Sequence, residues 1–248
     1  MFRIAIVLCD DLGRRISSEF ASYETLYKEF LSLAAPEECH FSVFRAHHGE
    51  LPRNVSEFDA ILMGGSRAGV YEQHEWIPPL LDMIRTAVHS KVTTLGICFG
   101  HQAIAAALGA EVAPSINGWN LATQTYECRA LRGSPDVEQL HLIAFHQDQV
   151  HTIPDGTSCY LTSAGCEIAG LVGVNIFTMQ PHPEFTPEVT SAILNASRGD
   201  RFSETVIDDA IARLDSTLSA TRASQLFWSA IQAEDTNSSP IAVTATTE

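Results

Sequence analysis

The sequence predicts an α/β protein: a mostly parallel central sheet with helices on both faces, a small antiparallel strand region and a helical C-terminal extension. Three observations carry this. Arg3 to Leu8 is an apolar run of the kind found in strands buried on both faces of a parallel sheet. Apolar runs and helix-period segments then alternate up to Leu108, which implies right-handed crossovers. From Gly109 to about Gln180 the segments shorten and turn residues separate them, as in antiparallel strands. With 248 residues and 45% apolar content, the chain can bury one substantial core. Three parts are expected: a main domain over 1–199, a helical extension over 200–233 packed on it, and a disordered tail over 234–248, which is rich in Thr, Ser and Ala and lacks a pattern.

The elements follow in order. After the first strand and the turn at Asp10-Asp11-Leu12-Gly13, Ser17 or Ser18 is a candidate cap for a helix to about Ala34. Phe20, Tyr23, Leu26, Tyr27 and Phe30 recur at helical spacing and are read as core. His40 to Ala46 and Asp59 to Met63 are strand candidates, the latter ending in Gly64-Gly65-Ser66. Trp76 to Val88 reads as a helix with Pro78 and Pro79 in its first turn. Lys91 onward is a fourth strand. Thr123–Cys128, Gln139–Phe145, Cys159–Ser163 and Val174–Met179 are further strands, with turns such as Gly133-Ser134-Pro135 between them. Thr186 caps a helix that opens on Pro187. Asp200 to Gln232 forms one or two helices, with Val206, Ile207, Ala210, Ile211, Leu214 and Leu218 on one face.

Fifteen basic against 30 acidic residues give a formal charge of -15, which disfavours nucleic acid and anionic membranes as partners. The first apolar run is stopped by Asp10-Asp11 and is too short for a signal segment or a membrane span. The six cysteines are irregularly spaced, without a C-x-x-C pair, so reduced thiols and a cytoplasmic location are expected. Neither a metal-ligand set nor a cofactor is expected.

The chemistry centres on Gly96-Ile97-Cys98-Phe99-Gly100-His101-Gln102, set between a buried strand and a helix. This is the layout of a nucleophile elbow with cysteine at its tip. A sharp strand-to-helix turn strains the central residue and leaves no room for flanking side chains. The helix N-terminus favours a thiolate, and the N–H groups just after it can bind an oxyanion. A small buried hydrophobe is the bland reading of such a cysteine.

A cysteine nucleophile needs a base and a group that orients the base. His182 and Glu184 lie two apart in Gln180-Pro181-His182-Pro183-Glu184-Phe185, where the prolines hold the backbone extended and both side chains project to one side. Taken alone, the segment is better read as a Pro-rich loop with a surface histidine than as a catalytic pair. His101 and His146 are rival bases, His101 better suited to packing and His146 lying in the polar run His146-Gln147-Asp148-Gln149-Val150-His151.

Together these two segments resemble class I (triad) glutamine amidotransferases. Met63-Gly64-Gly65-Ser66 with Val70-Tyr71-Glu72 and Trp76-Ile77 is similar to that family's oxyanion-strand region, especially in stand-alone members of the γ-glutamyl peptidase type. The resemblance spans roughly residues 1 to 195 and implies a Rossmann-like (flavodoxin-like) fold. It also implies a glutamyl-thioester mechanism. Cys98 is the nucleophile, His182 the base and Glu184 its orienting partner. The N–H groups of Gly65 and Phe99 form the oxyanion hole. Gln102, His146, Gln147 and Asp148 contact substrate. Asn117-Gly118-Trp119-Asn120 departs from relatives that carry an acidic residue after the Trp. The expected substrate is a small γ-glutamyl compound. An enzyme acting alone and an ammonia-donating subunit with a separate synthetase partner both remain open. So does a homo-oligomer. A purely binding member is disfavoured by the intact Cys98, His182 and Glu184. The sequence contains no P-loop, which argues against a self-contained ATP-dependent synthetase.

Overall fold

The structure, a computed structural model, describes residues 1–20, 22–129 and 137–233. The tail from 234 and the turn at Gly133-Ser134-Pro135 therefore lie outside the described residues. The strands are β1 (Phe2–Leu8), β2 (Cys39–Arg45), β3 (Ala60–Met63), β4 (Thr93–Ile97), β5 (Val112–Pro114), β6 (Asn120–Cys128), β7 (Glu138–His146), β8 (Asp148–Val150), β9 (Thr157–Ser163), β10 (Cys166–Gly173) and β11 (Ile176–Met179). The helices are α1 (Arg14–Glu19), α2 (Tyr23–Ser32), α3 (Ile77–His89), α4 (Phe99–Ala107), α5 (Pro187–Ala196), α6 (Glu204–Ala212) and α7 (Ala220–Ile231).

One nine-stranded sheet runs β2-β1-β3-β4-β11-β10-β9-β6-β7, and β5 and β8 form a separate pair. The first five strands are parallel and the remaining pairings are antiparallel. The fold is the Rossmann-like, flavodoxin-like α/β architecture that the strand–helix alternation predicts. β1 shows why its apolar run is continuous. Ile4, Ile6 and Leu8 join a core with α2 and α7, while Ala5, Val7 and Cys9 join a second core with α3 and α4 on the other face.

Several elements differ from the sequence reading. The helix expected from Ser17 or Ser18 is two helices, and the effective cap is Ser22, whose hydroxyl accepts from the Thr25 N–H at 3.2 Å. Phe20 falls at the break and is exposed. The Val174–Met179 strand begins only at Ile176, because Asn175 takes a left-handed turn with φ 52°. β10 has no counterpart among the predicted strands; its Ala169, Gly170, Leu171, Val172 and Gly173 offer no polar alternation. Val206, read onto a buried face, is exposed, whereas Ile207 and Ala210 are buried.

α7 is part of the sheet's own core. Trp228 Nε1 donates to the Leu31 carbonyl at 2.7 Å, and Phe227 packs edge-on to Phe30 and Phe177. Phe227 is fully buried. Phe227→Ala is expected to lower unfolding free energy by about 3–5 kcal/mol, read by urea denaturation, because the closed aromatic cluster cannot collapse into the void. A loss below about 1 kcal/mol would mean that α7 detaches easily.

Candidate active site

β4 delivers Cys98 to the N-cap position of α4, with φ 52° and ψ -106°. Few L residues adopt this conformation, and the local packing holds it in place. The Cys98 N–H donates to Met179 O at 2.9 Å, and Cys98 O accepts from the Gln102 N–H at 3.1 Å. A side chain at Gly96 would lie 2.6 Å from Gly100 backbone, and one at Gly100 would overlap the Met63 carbonyl. Both glycines are therefore dictated by the close approach of α4 to β3 and β4.

His182 arrives from the other side of the cleft. Its N–H donates to Ile143 O at 2.8 Å, forming an isolated bridge to β7. Its Nδ1 is 2.7 Å from Glu184 Oε1, and the Cys98 side chain is close enough to act on the ring electrostatically. Burial alone would push this imidazole down. The Glu184 carboxylate and the Cys98 sulfur outweigh it, raising His182 to about 10. Phe185 stacks on the ring with centroids 4.2 Å apart, fixing its plane.

The raised His182 has a consequence for stability. The folded chain holds this proton more tightly than the unfolded chain, whose imidazole titrates near 6.5. The contribution is therefore full below about pH 6.5 and declines as pH rises towards 10. Thermal melts across this window should show wild type losing stability with pH and Glu184→Gln showing a flatter profile. Parallel profiles would place the proton elsewhere.

Gly65 lies against both groups: a side chain there would meet His182 Cε1 at 2.9 Å and Cys98 Cβ at 3.8 Å. Its N–H is already bonded, donating to the Tyr27 hydroxyl at 2.8 Å. The two N–H groups expected to form an oxyanion hole are thus not both presented to the cleft. The sequence reading had no signal for this contact, since Tyr27 read as core and is indeed buried.

Gln102 Nε2 donates to Asp148 O at 2.9 Å and to Gln180 Oε1 at 3.1 Å. His146 Nδ1 donates to Asp148 O at 3.2 Å, and its Nε2 is buried with no partner. Burial lowers this ring to about 3, so Nε2 is an unprotonated acceptor. Asp148 is raised by burial. His101 is fully buried: Nε2 donates to Ile168 O and Nδ1 accepts from the Thr178 hydroxyl at 2.7 Å. That packing role removes it as a rival base. A cleft of about 280 Å³ is lined by Cys98, His182, Gln102, His146, Gln147 and Asp148 together. Tyr23, Arg67 and Arg201 also line it. The sequence reading put Tyr23 in the core and assigned nothing to the two arginines. Arg201 lies over the Trp119 ring at 4.3 Å, and Arg67 is clamped by Asp10.

The profile of the family "Glutamine amidotransferase class-I" matches residues 24–197. The chain belongs to this family. It is 25% identical over 240 residues to gamma-glutamyl peptidase 3 of Arabidopsis thaliana, covering 92% of each protein. It is 30% identical over 148 residues to the glutamine-hydrolysing GMP synthase of Burkholderia vietnamiensis, covering 54% of this chain and 26% of that one. The crystal structure of a glutamine amidotransferase from Methylobacillus flagellatus superposes with a TM-score of 0.70 at 19% identity, covering 93% of this chain and 94% of that one. Among the described residues, no helix is long and apolar enough to cross a membrane.

Proposed function

We propose that the protein cleaves the γ-glutamyl C–N bond of glutamine or of a γ-glutamyl peptide or conjugate through a glutamyl thioester on Cys98. The observation that carries this reading is the alignment of Cys98, His182 and Glu184 at one end of the cleft. Cys98 Sγ attacks the side-chain carbonyl. His182 gives its proton to the departing amine. His182 then takes a proton from the water that hydrolyses the thioester, and glutamate leaves. Glu184 keeps the ring oriented. His146, whose Nε2 is an unpartnered acceptor, would take the substrate's ammonium group together with Gln102, Gln147 and Asp148. The gamma-glutamyl peptidase relative, matched over nearly its whole length, favours a substrate complete in itself.

The Phe99 N–H at the start of α4 supplies one oxyanion donor. Gly65 supplies the second only when its N–H leaves Tyr27. That exchange costs about 1 kcal/mol, so Tyr27→Phe is expected to raise kcat by roughly five-fold while slightly lowering stability. A fall in kcat would instead make the Tyr27 contact part of the working geometry.

The test of the whole reading is rapid quenching during turnover of a panel of γ-glutamyl compounds, with mass spectrometry of Cys98. An adduct of glutamyl mass supports it. An active substrate without an adduct, together with an active Cys98→Ala protein, overturns it. The second reading, an ammonia-donating subunit, is favoured by the partial match to a GMP synthase. It requires glutamine turnover that rises sharply only when a synthetase is added.

A further inference from the structure

Outside the cleft, the C-terminal ends of β1 and β2 bring together three side chains that the reaction does not use. β1 and β2 are parallel neighbours, with Leu8 opposite Arg45. β1 runs on into Cys9-Asp10-Asp11. β2 runs into a 3-10 turn, Ala46–His48, closed by Gly49 in the left-handed region with φ 81°. That turn sets the rings of His47 and His48 4.1 Å apart, facing Asp11.

The proton positions at His47 are constrained. Its Nδ1 is 3.1 Å from the Leu8 carbonyl, which can only accept, so Nδ1 carries hydrogen. The lone pair of neutral His47 is then on Nε2, and Nε2 lies 3.1 Å from Asp11 Oδ2, also an acceptor. Two acceptors at this separation repel unless something positive lies between them. A proton satisfies this pair alone. His48 Nε2, however, approaches the same carboxylate oxygen at 4.0 Å. A single cation meets the demands of both rings and the carboxylate at once. The three ligand atoms lie within 4.8 Å of one another. Ligands of a tetrahedral ion with bonds of about 2.0–2.1 Å stand about 3.3 Å apart, between the two observed distances. His47 is well packed, and its carbonyl-bonded Nδ1 is the usual way a ligating imidazole is oriented. His48 and Asp11 are exposed, so a change of side-chain rotamer can close the roughly 0.7 Å between the 4.0 Å approach and this spacing.

We propose that Asp11, His47 and His48 form a zinc-class metal site. Two imidazoles with one carboxylate select a borderline ion such as Zn²⁺ over Mg²⁺ or Ca²⁺, which prefer all-oxygen ligands. Water completes the coordination. The site is tied to the cleft mouth through the adjacent residue. Asp10 Oδ1 accepts from the Asp11 N–H at 2.8 Å, and the Asp10 carboxylate holds Arg67 through Nε and Nη2, each at 2.8 Å. A bound ion would pin the segment that carries this clamp.

The experiment uses the untagged full chain with Cys98→Ser, which removes the competing Cys98–His182 site for zinc, after chelator treatment. Zinc binding is measured by calorimetry and cobalt binding by absorption. The expected result is one ion per chain, the intense visible d–d bands of tetrahedral cobalt without a thiolate charge-transfer band, and no displacement by excess Ca²⁺. His48→Ala, a change at an exposed position that leaves the core alone, should weaken binding by roughly ten-fold or more, as should Asp11→Asn. Binding unchanged in both variants, a thiolate band, or displacement by Ca²⁺ would overturn the proposal. So would the absence of any binding, which would leave His47 and Asp11 as an ordinary proton-bridged pair.

Discussion

Cys98→Ala is expected to abolish turnover of γ-glutamyl substrates, by about five to six orders of magnitude in kcat, while leaving the fold intact. The Cys98 sulfur has no substitute nearby: Cys166 and Cys128 lie in the core with Cys98 but do not line the cleft. Alanine fits the same turn, since its side chain is the Cβ already present, and the left-handed φ of 52° costs alanine no less than cysteine. A thermal melt should therefore stay close to wild type, separating loss of chemistry from loss of structure. The same residue should dominate alkylation. Burial raises the other five thiols, Cys128 and Cys166 to about 12, and Cys9, Cys39 and Cys159 also upward. Limiting iodoacetamide near neutral pH should mark Cys98, beside a raised His182 and at a helix N-terminus. Preferential labelling of Cys128 or Cys166, or substantial activity in Cys98→Ala, would remove Cys98 from the mechanism.

The parts of this molecule that were legible in sequence are those where one residue type satisfies a local geometric demand. Gly96 and Gly100 are needed because helix and strand backbones nearly touch there, and that demand is visible as Gly-x-Cys-x-Gly. The run from Ile4 to Leu8 is apolar at every position because both faces of β1 are covered, whereas Arg3 at its start is exposed. His182 and Glu184 do meet, but not along the extended backbone the prolines suggest: Pro183 and Glu184 form a turn, with the Phe185 N–H donating to His182 O at 3.4 Å, and the turn brings Glu184 Oε1 to His182 Nδ1. What was not legible depends on long-range contacts. Tyr27 has the spacing of a core residue and is buried, yet its hydroxyl reaches Gly65 across 38 positions of sequence. Arg67 and Arg201 reach the cleft from a loop and from the segment after α5, where no periodicity or motif marks a binding role. The break between α1 and α2 was missed because Ser17, Ser18 and Ser22 are all competent caps, and only packing chooses among them.

Glu184→Gln and His182→Ala are expected to separate orientation from proton transfer. In the proposed mechanism His182→Ala removes the group that both activates Cys98 and protonates the leaving amine, so its loss should match that of Cys98→Ala, and the double variant should lose nothing further. Glu184→Gln should be milder. The Glu184 side chain is fully buried, and Oε2 has no partner in the described structure. A glutamine can therefore keep its carbonyl on His182 Nδ1 and place its NH₂ where Oε2 was, so the ring orientation survives. What disappears is the charge. Burial is the largest influence on His182, and it acts downward, opposed by Glu184 and Cys98. Without the carboxylate the imidazole should fall well below its wild-type value of about 10, and the alkaline limb of the pH–rate profile should move down with it. The expected loss in kcat/KM is about 10²–10³-fold, short of the roughly 10⁴-fold seen where removal of the orienting carboxylate also selects the wrong tautomer. Stopped-flow rates and pH profiles of the single and double variants provide the check. A Glu184→Gln protein as inactive as Cys98→Ala, with a wild-type melting temperature, would show that the tautomer is lost as well. An unchanged alkaline limb would show that Glu184 does not set the charge on His182.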